Sequence, residues 1–320
     1  METIWRIKFL SLKLKRFAMF DKISIIGCGL IGSSILRAIN EKKISKDISV
    51  FDKSDEVLNF LKKENLCKNT TRDISKCVKN SDLVIIAAPL SSYKEIILSI
   101  KEHLKKGAIL TDTGSVKNQV NKIISNINLQ DVVWLGSHPI AGTEESGPHA
   151  GFSKLFENRW CIISPAEKSN ENETNKLKKF WELLGSKVKI MSVEEHDYVL
   201  SLTSHLPHAI AYNIVRTAIS NDIKSRDDII QYSAGGLRDF TRIASSNPLM
   251  WRDIFIDNSE NILKVINSFV KNLDELKSAI SEKNIDKLNK IFSSTREIRK
   301  EIIKAGQDTG KPDFGRKKTK

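Results

Sequence analysis

Residues 22–40, KISIIGCGLIGSSILRAIN, constrain the fold of this chain more than any other stretch. Ile23, Ile25 and Ile26 form an apolar run of strand length. The run breaks at Gly27-Cys28-Gly29-Leu30-Ile31-Gly32 and resumes with helical spacing at Leu30, Ile31, Ser34, Ile35 and Ala38. Strand, G-x-G-x-x-G turn and helix together form the setting of a dinucleotide-binding βα unit. Gly27 permits the tight turn, Gly29 lets backbone N–H groups approach a pyrophosphate, and Gly32 lets the helix pack close to the strand. The helix N-terminus adds the partial positive charge that an anion needs. Ile48-Ser49-Val50-Phe51 reads as the next strand. It ends at Asp52, at the ~20-residue offset of an acid that grips a ribose hydroxyl. The glycines alone carry little; with strand, helix and acid in place the pattern is specific.

The 320 residues suffice for two domains with full cores. No apolar run approaches the ~20 residues of a membrane-spanning helix. Cys28, Cys67, Cys77 and Cys161 are scattered without metal-site or disulfide spacing, which points to a reducing cytoplasm. The formal charge of +13 raises nucleic acid and membranes as partners, so its location matters. Residues 1–20 hold five basic side chains against Glu2, and residues 306–320 hold five against Asp308 and Asp313. Over half of the excess therefore sits on the two ends, which read as solvated, disordered tails. Neither nucleic acid nor a membrane is expected as partner. The modestly basic body suits an enzyme for a di-anionic metabolite. Met19, three residues before the first strand, is the expected natural start.

Strand and helix patterns alternate from residue 21 to 191. Ser54 can cap a helix begun by Asp55 and Glu56, and residues 83–88 form a buried strand closed by Pro89. A helix is expected over 93–103, with further strands at 108–110, 132–135, 161–164 and 188–191. This predicts a doubly wound, mostly parallel sheet with its ligand at the carboxyl ends of the strands. Leu30, Ile31 and Pro89 lie at such ends and are expected against the cofactor. Strand signals vanish after Met191, and residues 192–305 read as an all-helical second domain. Ile262, Leu263, Val265, Ile266, Phe269 and Val270 occupy more than one apolar stripe, which calls for cover on both sides. A partner subunit is the expected source; a compact monomeric bundle is the alternative.

Three further segments carry polar residues that a pure core would not choose. In Thr111-Asp112-Thr113-Gly114-Ser115-Val116-Lys117, Ser115 can cap the following helix or hydrogen-bond a catalytic side chain or nicotinamide. In Gly136-Ser137-His138-Pro139-Ile140-Ala141-Gly142-Thr143-Glu144, His138 directly follows a strand, where a histidine can accept a hydroxyl proton as hydride leaves the same carbon. The third segment is split between Ser204-His205-Leu206-Pro207-His208 and Gly235-Gly236-Leu237-Arg238-Asp239-Phe240-Thr241-Arg242. His205 and His208 would share a helical face, but no third ligand at a familiar spacing accompanies them, so no metal is expected. Arg238 and Arg242 can bind carboxylates bidentately or form surface ion pairs.

The loop GCGLIGSS, the turn DTGSVK, and the stretches GSHPIAGTEESG, SHLPHA and GGLRDFTRIASSNPLMWRDIF together resemble the prephenate/arogenate dehydrogenase family of tyrosine biosynthesis, over residues 20–315. The resemblance implies a Rossmann domain, a helical domain that dimerises, and NAD-dependent oxidative decarboxylation of prephenate to 4-hydroxyphenylpyruvate. It implies that His138 is the catalytic base on the substrate's ring hydroxyl and that Ser115 orients it and touches the nicotinamide. It further implies that Arg242 binds a substrate carboxylate, with Ser204, His205, His208, Thr143, Glu144 and Gly235 at pocket positions. Arg238 stands where other members can have lysine. Asp52 favours NAD over NADP because its carboxylate repels a 2′-phosphate, a preference that Lys53 can soften. Arogenate, giving tyrosine directly, is the rival substrate, and no residue decides between the two. A β-hydroxyacid dehydrogenase would need a lysine base, for which the helical half offers no convincing candidate. A non-enzymatic NAD-binding regulator is the rival from another class. The chain has no room for the mutase or regulatory domains fused to some relatives, so feedback by tyrosine, where present, acts at the active site.

Overall fold

The computed structural model describes residues 19–129, 131–143, 145–166, 171–220 and 230–305. The expected disordered ends, apart from Met19 and Phe20, lie outside them, as does Glu144. These residues fall into two compact units that divide between Ile262 and Leu263.

The first unit is built on an eight-stranded sheet in the order β3-β2-β1-β4-β5-β6-β7-β8. The strands are β1 Lys22–Ile26, β2 Asp47–Phe51, β3 Asn69–Thr71, β4 Leu83–Ile86, β5 Ile109–Asp112, β6 Val133–Pro139, β7 Trp160–Pro165 and β8 Lys187–Ile190. All neighbours pair parallel except β6 with β7. Helices α1 Leu30–Lys42, α2 Asp55–Lys63, α3 Ile74–Val78, α4 Tyr93–Ile100, α5 Asn118–Ser125 and α6 Glu171–Leu183 connect them. β4 is buried at every residue because helices cover both faces, and its sequence is accordingly a continuous apolar run. Side chains of β1 alternate between the two cores. Ile23 and Ile25 pack with Ile35, Leu36, Phe180 and Trp181, whereas Ile26 joins Tyr93, Ile97 and Val120. The strand order reverses between β1 and β4, and a doubly wound sheet opens its ligand crevice at such a point.

Several expectations need correction. Phe20, assigned to the N-terminal extension, is only 1% exposed and packs edge-on against Phe180, so the fold begins before it. The strand expected over 132–135 runs on to Pro139, because Leu135–Pro139 pairs with the antiparallel β7. His138 is therefore held inside a strand, opposite Ile162, rather than in the loop beyond it. Ser115 does not cap a helix: α5 starts at Asn118, and the Asp197 carboxylate accepts the N–H groups of Lys117 and Asn118, each at 2.8 Å.

The chain then becomes helical, with α7 Val193–Leu200, a single π-helical turn Ser201–His205, α8 Leu206–Ser220, α9 Gly235–Thr241 and α10 Pro248–Asp257. These helices belong to the first unit, so the change of texture at Met191 and the division into compact units fall at different places. α11 Ser259–Ser281 carries the chain into the second unit, which continues through α12 Ile285–Lys304. Leu263, Leu273, Ile280, Ile285, Phe292 and Ile298 of that unit are exposed among the described residues.

Candidate active site

The glycine turn has the geometry its sequence requires. Gly27 adopts φ +87°, and a Cβ there would lie 2.6 Å from the carbonyl oxygen of Ala87 on the neighbouring strand connection. A Cβ on Gly32 would lie 2.1 Å from the carbonyl oxygen of Gly27, so only hydrogen lets α1 sit this close to β1. At Gly29 a Cβ would meet nothing within 4 Å. The space above Gly29, at the N-terminus of a 13-residue helix, is what a pyrophosphate needs, so the residues present fit a dinucleotide. Asp52 accepts the Cys28 N–H at 2.8 Å and the Ser54 N–H at 2.9 Å. It thereby ties the glycine turn to the end of β2, and its remaining lone pairs can still meet a ribose hydroxyl.

A cleft of about 540 Å³ opens beside this turn, lined among others by Gly29, Pro89, Ser115, His138, Thr143 and Asn247. Leu30 and Ile31 also face it. Its far wall is the start of α10, tied to the loop after β4 by the Ser91 N–H donating to Asp253 Oδ2 at 3.3 Å. Thus Gly29, Leu30, Ile31, Pro89, Ser115 and His138 converge on one cavity, whereas Gly27, Gly32 and Asp52 lie outside its lining. The helical candidates do not line it. His205 and His208 flank Trp251, His208 stacked at 3.6 Å and His205 edge-on at 6.0 Å. Ser204 accepts the His208 Nδ1–H on its carbonyl oxygen at 2.9 Å. Gly235, Arg238 and Arg242 lie on or just after the exposed α9, where Arg238 pairs with Asp239 at 3.2 Å. Arg242 still acts on the cluster electrostatically, its charge helping to depress the pKa of His208.

His138 does not act alone. Its Nδ1 lies 2.9 Å from His196 Nε2, and His196 Nδ1 lies 2.7 Å from Asp197 Oδ1. Behind this row, Lys117 and Asp112 form a fully buried ion pair. Asp112 Oδ1 also accepts the Ser137 N–H at 3.0 Å, which braces the strand next to His138. Burial, with the neighbouring His196, Lys117 and His205, holds the His138 pKa well below its ordinary value. Burial also depresses His196 despite its bond to Asp197, and it lowers His205 to about 4. Burial opposes ionisation of Asp197, but the bonds from His196 and the backbone N–H groups of Lys117 and Asn118 outweigh it and keep the carboxylate charged. At neutral pH His138 is thus unprotonated and able to accept a proton.

The sequence reading missed His196, Asp197 and the Lys117–Asp112 pair. Ser192-Val193-Glu194-Glu195 reads as a capped, exposed helix start and masks the His-Asp that follows. The available signal was the four-residue spacing of His196 to Leu200, both buried on one face of α7. Among the described residues, no group of three or more His, Cys, Asp or Glu is arranged to hold a metal ion, and no helix is long and apolar enough to cross a membrane.

These buried neutral histidines make stability depend on pH. An unfolded histidine titrates near ~6.5, so below that value the unfolded chain binds protons that His138, His196 and His205 refuse. Each histidine that stays neutral then costs about 1.4 kcal/mol of stability per pH unit. Urea unfolding is expected to show a clear loss of stability from about pH 7 to about pH 5.5, and a flat profile above ~7. Equal midpoints across that range would contradict the assigned burial.

Fold and site together define a dinucleotide-binding protein of the oxidoreductase class whose cleft holds a buried, neutral histidine. Residues 35–190 match the family model described as prephenate dehydrogenase, nucleotide-binding domain, and residues 192–294 match prephenate dehydrogenase, dimerization domain. The chain is 39% identical over 281 residues to the cyclohexadienyl dehydrogenase of Zymomonas mobilis, covering 88% of this chain and 96% of that one. It is 32% identical to the prephenate dehydrogenase of Bacillus subtilis, over 88% of this chain and 76% of the relative. Among solved structures, prephenate dehydrogenase from Aquifex aeolicus in complex with hydroxyphenyl propionate and NAD+ superposes with a TM-score of 0.82 at 33% identity, covering 88% of this chain and 98% of that one. The chain belongs to the prephenate/arogenate (cyclohexadienyl) dehydrogenase family of oxidoreductases.

Proposed function

We propose that this chain oxidatively decarboxylates prephenate to 4-hydroxyphenylpyruvate with NAD+, as a homodimer formed through its helical residues. The observation that carries the reading is the position of His138. It is a neutral, strand-held imidazole in the same cleft as Gly29 of the dinucleotide turn. Bound over that turn, NAD+ supplies the two-electron acceptor. The protein's own part is to bind, orient and move one proton. His138 takes the hydroxyl proton as the ring carbon is oxidised to a carbonyl, and loss of the ring carboxylate as CO₂ feeds electrons into a ring that becomes aromatic. Ser115, which lines the same cleft as His138, is the hydroxyl that would orient His138 and touch the nicotinamide. The resemblance alone makes Arg242 the carboxylate anchor and puts Ser204, His205 and His208 at substrate positions, since none of the four lines the cleft that holds His138. Thr143, which lines the cleft, and Glu144, Gly235 and Arg238 are carried as looser substrate contacts by the resemblance. Asp52 at the end of β2 supports NAD over NADP, although the exposed Lys53 can soften that choice. The exposed apolar side chains of α11 and α12 support the dimer.

A second reading, arogenate as an alternative substrate, is favoured by the similarity to the cyclohexadienyl dehydrogenase of Zymomonas mobilis. Initial rates of nicotinamide reduction with prephenate and with arogenate, each paired with NAD+ and NADP+, test both. The fastest reaction is expected with prephenate and NAD+, yielding CO₂ and 4-hydroxyphenylpyruvate. No reduction with either cyclohexadiene would refute the assignment.

A further inference from the structure

We propose that His196 and Asp197 are positioning residues that lock His138 with its proton on Nδ1 and share the positive charge that forms when it accepts another. The inference rests on reading His138 as the base, and it begins at the Asp197 carboxylate. Both of its oxygens are committed to backbone N–H groups at the start of α5, an arrangement only the ionised, acceptor-only form completes. A carboxylate 2.7 Å from His196 Nδ1 requires that nitrogen to be the donor. In neutral His196 the proton is then on Nδ1, and Nε2 is a bare acceptor. His138 Nδ1, 2.9 Å from that acceptor, must donate to it. Each link fixes the next. The outcome is a His138 whose only available lone pair is on Nε2, the one ring nitrogen left for a substrate hydroxyl.

The same row provides for the charge. Burial, and the fields of His196, Lys117 and His205, oppose a second proton on His138. Lys117 is itself paired with Asp112, which leaves Asp197 as the carboxylate joined to the base through hydrogen bonds. When the hydroxyl proton arrives on His138 Nε2, the Nδ1 proton can shift along the 2.9 Å bond to His196 Nε2. One proton enters and none leaves: His138 ends neutral and His196 becomes an imidazolium against Asp197. The electron pair of the broken O–H bond stays on oxygen to form the carbonyl.

The test uses the full-length chain with NAD+ and prephenate. His196→Leu removes both acceptor and relay, whereas His196→Gln keeps an amide oxygen for the His138 Nδ1–H and an amide N–H for Asp197. The lock alone should survive in the second. His196→Leu is expected to lower kcat about 10²-fold with KM for prephenate changed less than about threefold, and His196→Gln to recover kcat to within about tenfold of the parent. Nitrogen-15 NMR of histidine-labelled enzyme, with His138 assigned through its loss in His138→Asn, should find the proton on Nδ1 in the parent and in His196→Gln. A parent His138 protonated on Nε2, equal losses in the two variants, or a His196→Leu kcat within about threefold of the parent would each overturn the proposal. Should His196→Leu not fold, the parent spectrum and His196→Gln still decide. Inactivity of His138→Asn beside a fully active His196→Leu would reject the lock and keep the base. Activity in both would reject the base itself.

Discussion

Asparagine at position 138 is expected to lower kcat by roughly 10²- to 10⁴-fold while leaving KM for prephenate and the affinity for NAD+ close to those of the parent. The substitution is nearly isosteric for the atoms nearest the backbone, and β6 holds that backbone between β5 and β7. An amide has no lone pair basic enough to take the hydroxyl proton, so carbonyl formation must dispose of it to water. The loss falls on kcat because the proton moves only in the transition state; an interaction equally present in the ground state would have raised KM instead. The asparagine amide N–H can still donate to His196 Nε2, but loss of the outer part of a buried ring leaves a cavity, which adds a modest stability cost of about 1–3 kcal/mol. Pre-steady-state and steady-state rates, measured with thermal unfolding on the same sample, separate the two effects. Turnover within a few-fold of the parent, from a folded variant, would remove His138 from the chemistry.

The second large effect separates two glycines of one turn. Alanine at Gly32 puts a methyl 2.1 Å from the Gly27 carbonyl oxygen, backbone against backbone, with no flexible side chain to give way. Relief requires α1 to move off β1 or the turn to open, and overpacking of this kind costs about 1–3 kcal/mol or more. Alanine at Gly29 meets nothing within 4 Å and keeps an ordinary negative φ of −71°. Folding should be unaffected, yet the methyl occupies the space above the helix N-terminus. Gly29→Ala is therefore expected to weaken NAD+ binding about tenfold or more, or about 1.4 kcal/mol per decade, at unchanged unfolding midpoint. Gly32→Ala is expected to lose stability first and binding as a consequence. Calorimetric titration of NAD+ and urea unfolding of both variants provide the check. Undiminished affinity in Gly29→Ala would mean that the pyrophosphate lies elsewhere.

The parts of this molecule that could be read in advance are those whose physics is local. A buried strand between helices must be continuously apolar, as Leu83–Ile86 is, and a helix that touches a strand must offer glycine, as Gly32 does. His138 stood out because a histidine just after an apolar strand run is a local pattern, although the pairing that holds it inside β6 is not. What stayed hidden depends on contacts across long sequence separations. The pairing of β6 with β7 lengthens a strand past the point where its own apolar run stops. Asp197 caps a helix that lies 79 residues earlier, so a serine next to that helix looked like the cap instead. His196 carries no neighbouring pattern that marks it; it acquires a role only when α7 brings it within 2.9 Å of His138. The helical candidates show the reverse. Ser204, His205 and His208 read as one cluster, and in the fold the two histidines pack on Trp251 and Ser204 accepts from His208, none of them lining the cleft that holds His138.

A crystal structure of the chain with NAD+ and a non-reactive analogue that keeps the ring hydroxyl measures the central geometry directly. The account predicts that hydroxyl within about 2.6–3.2 Å of His138 Nε2, with the nicotinamide over the same ring carbon and His138 Nδ1 still on His196. A hydroxyl bound to another side chain, or Nε2 turned from the cleft, would contradict it.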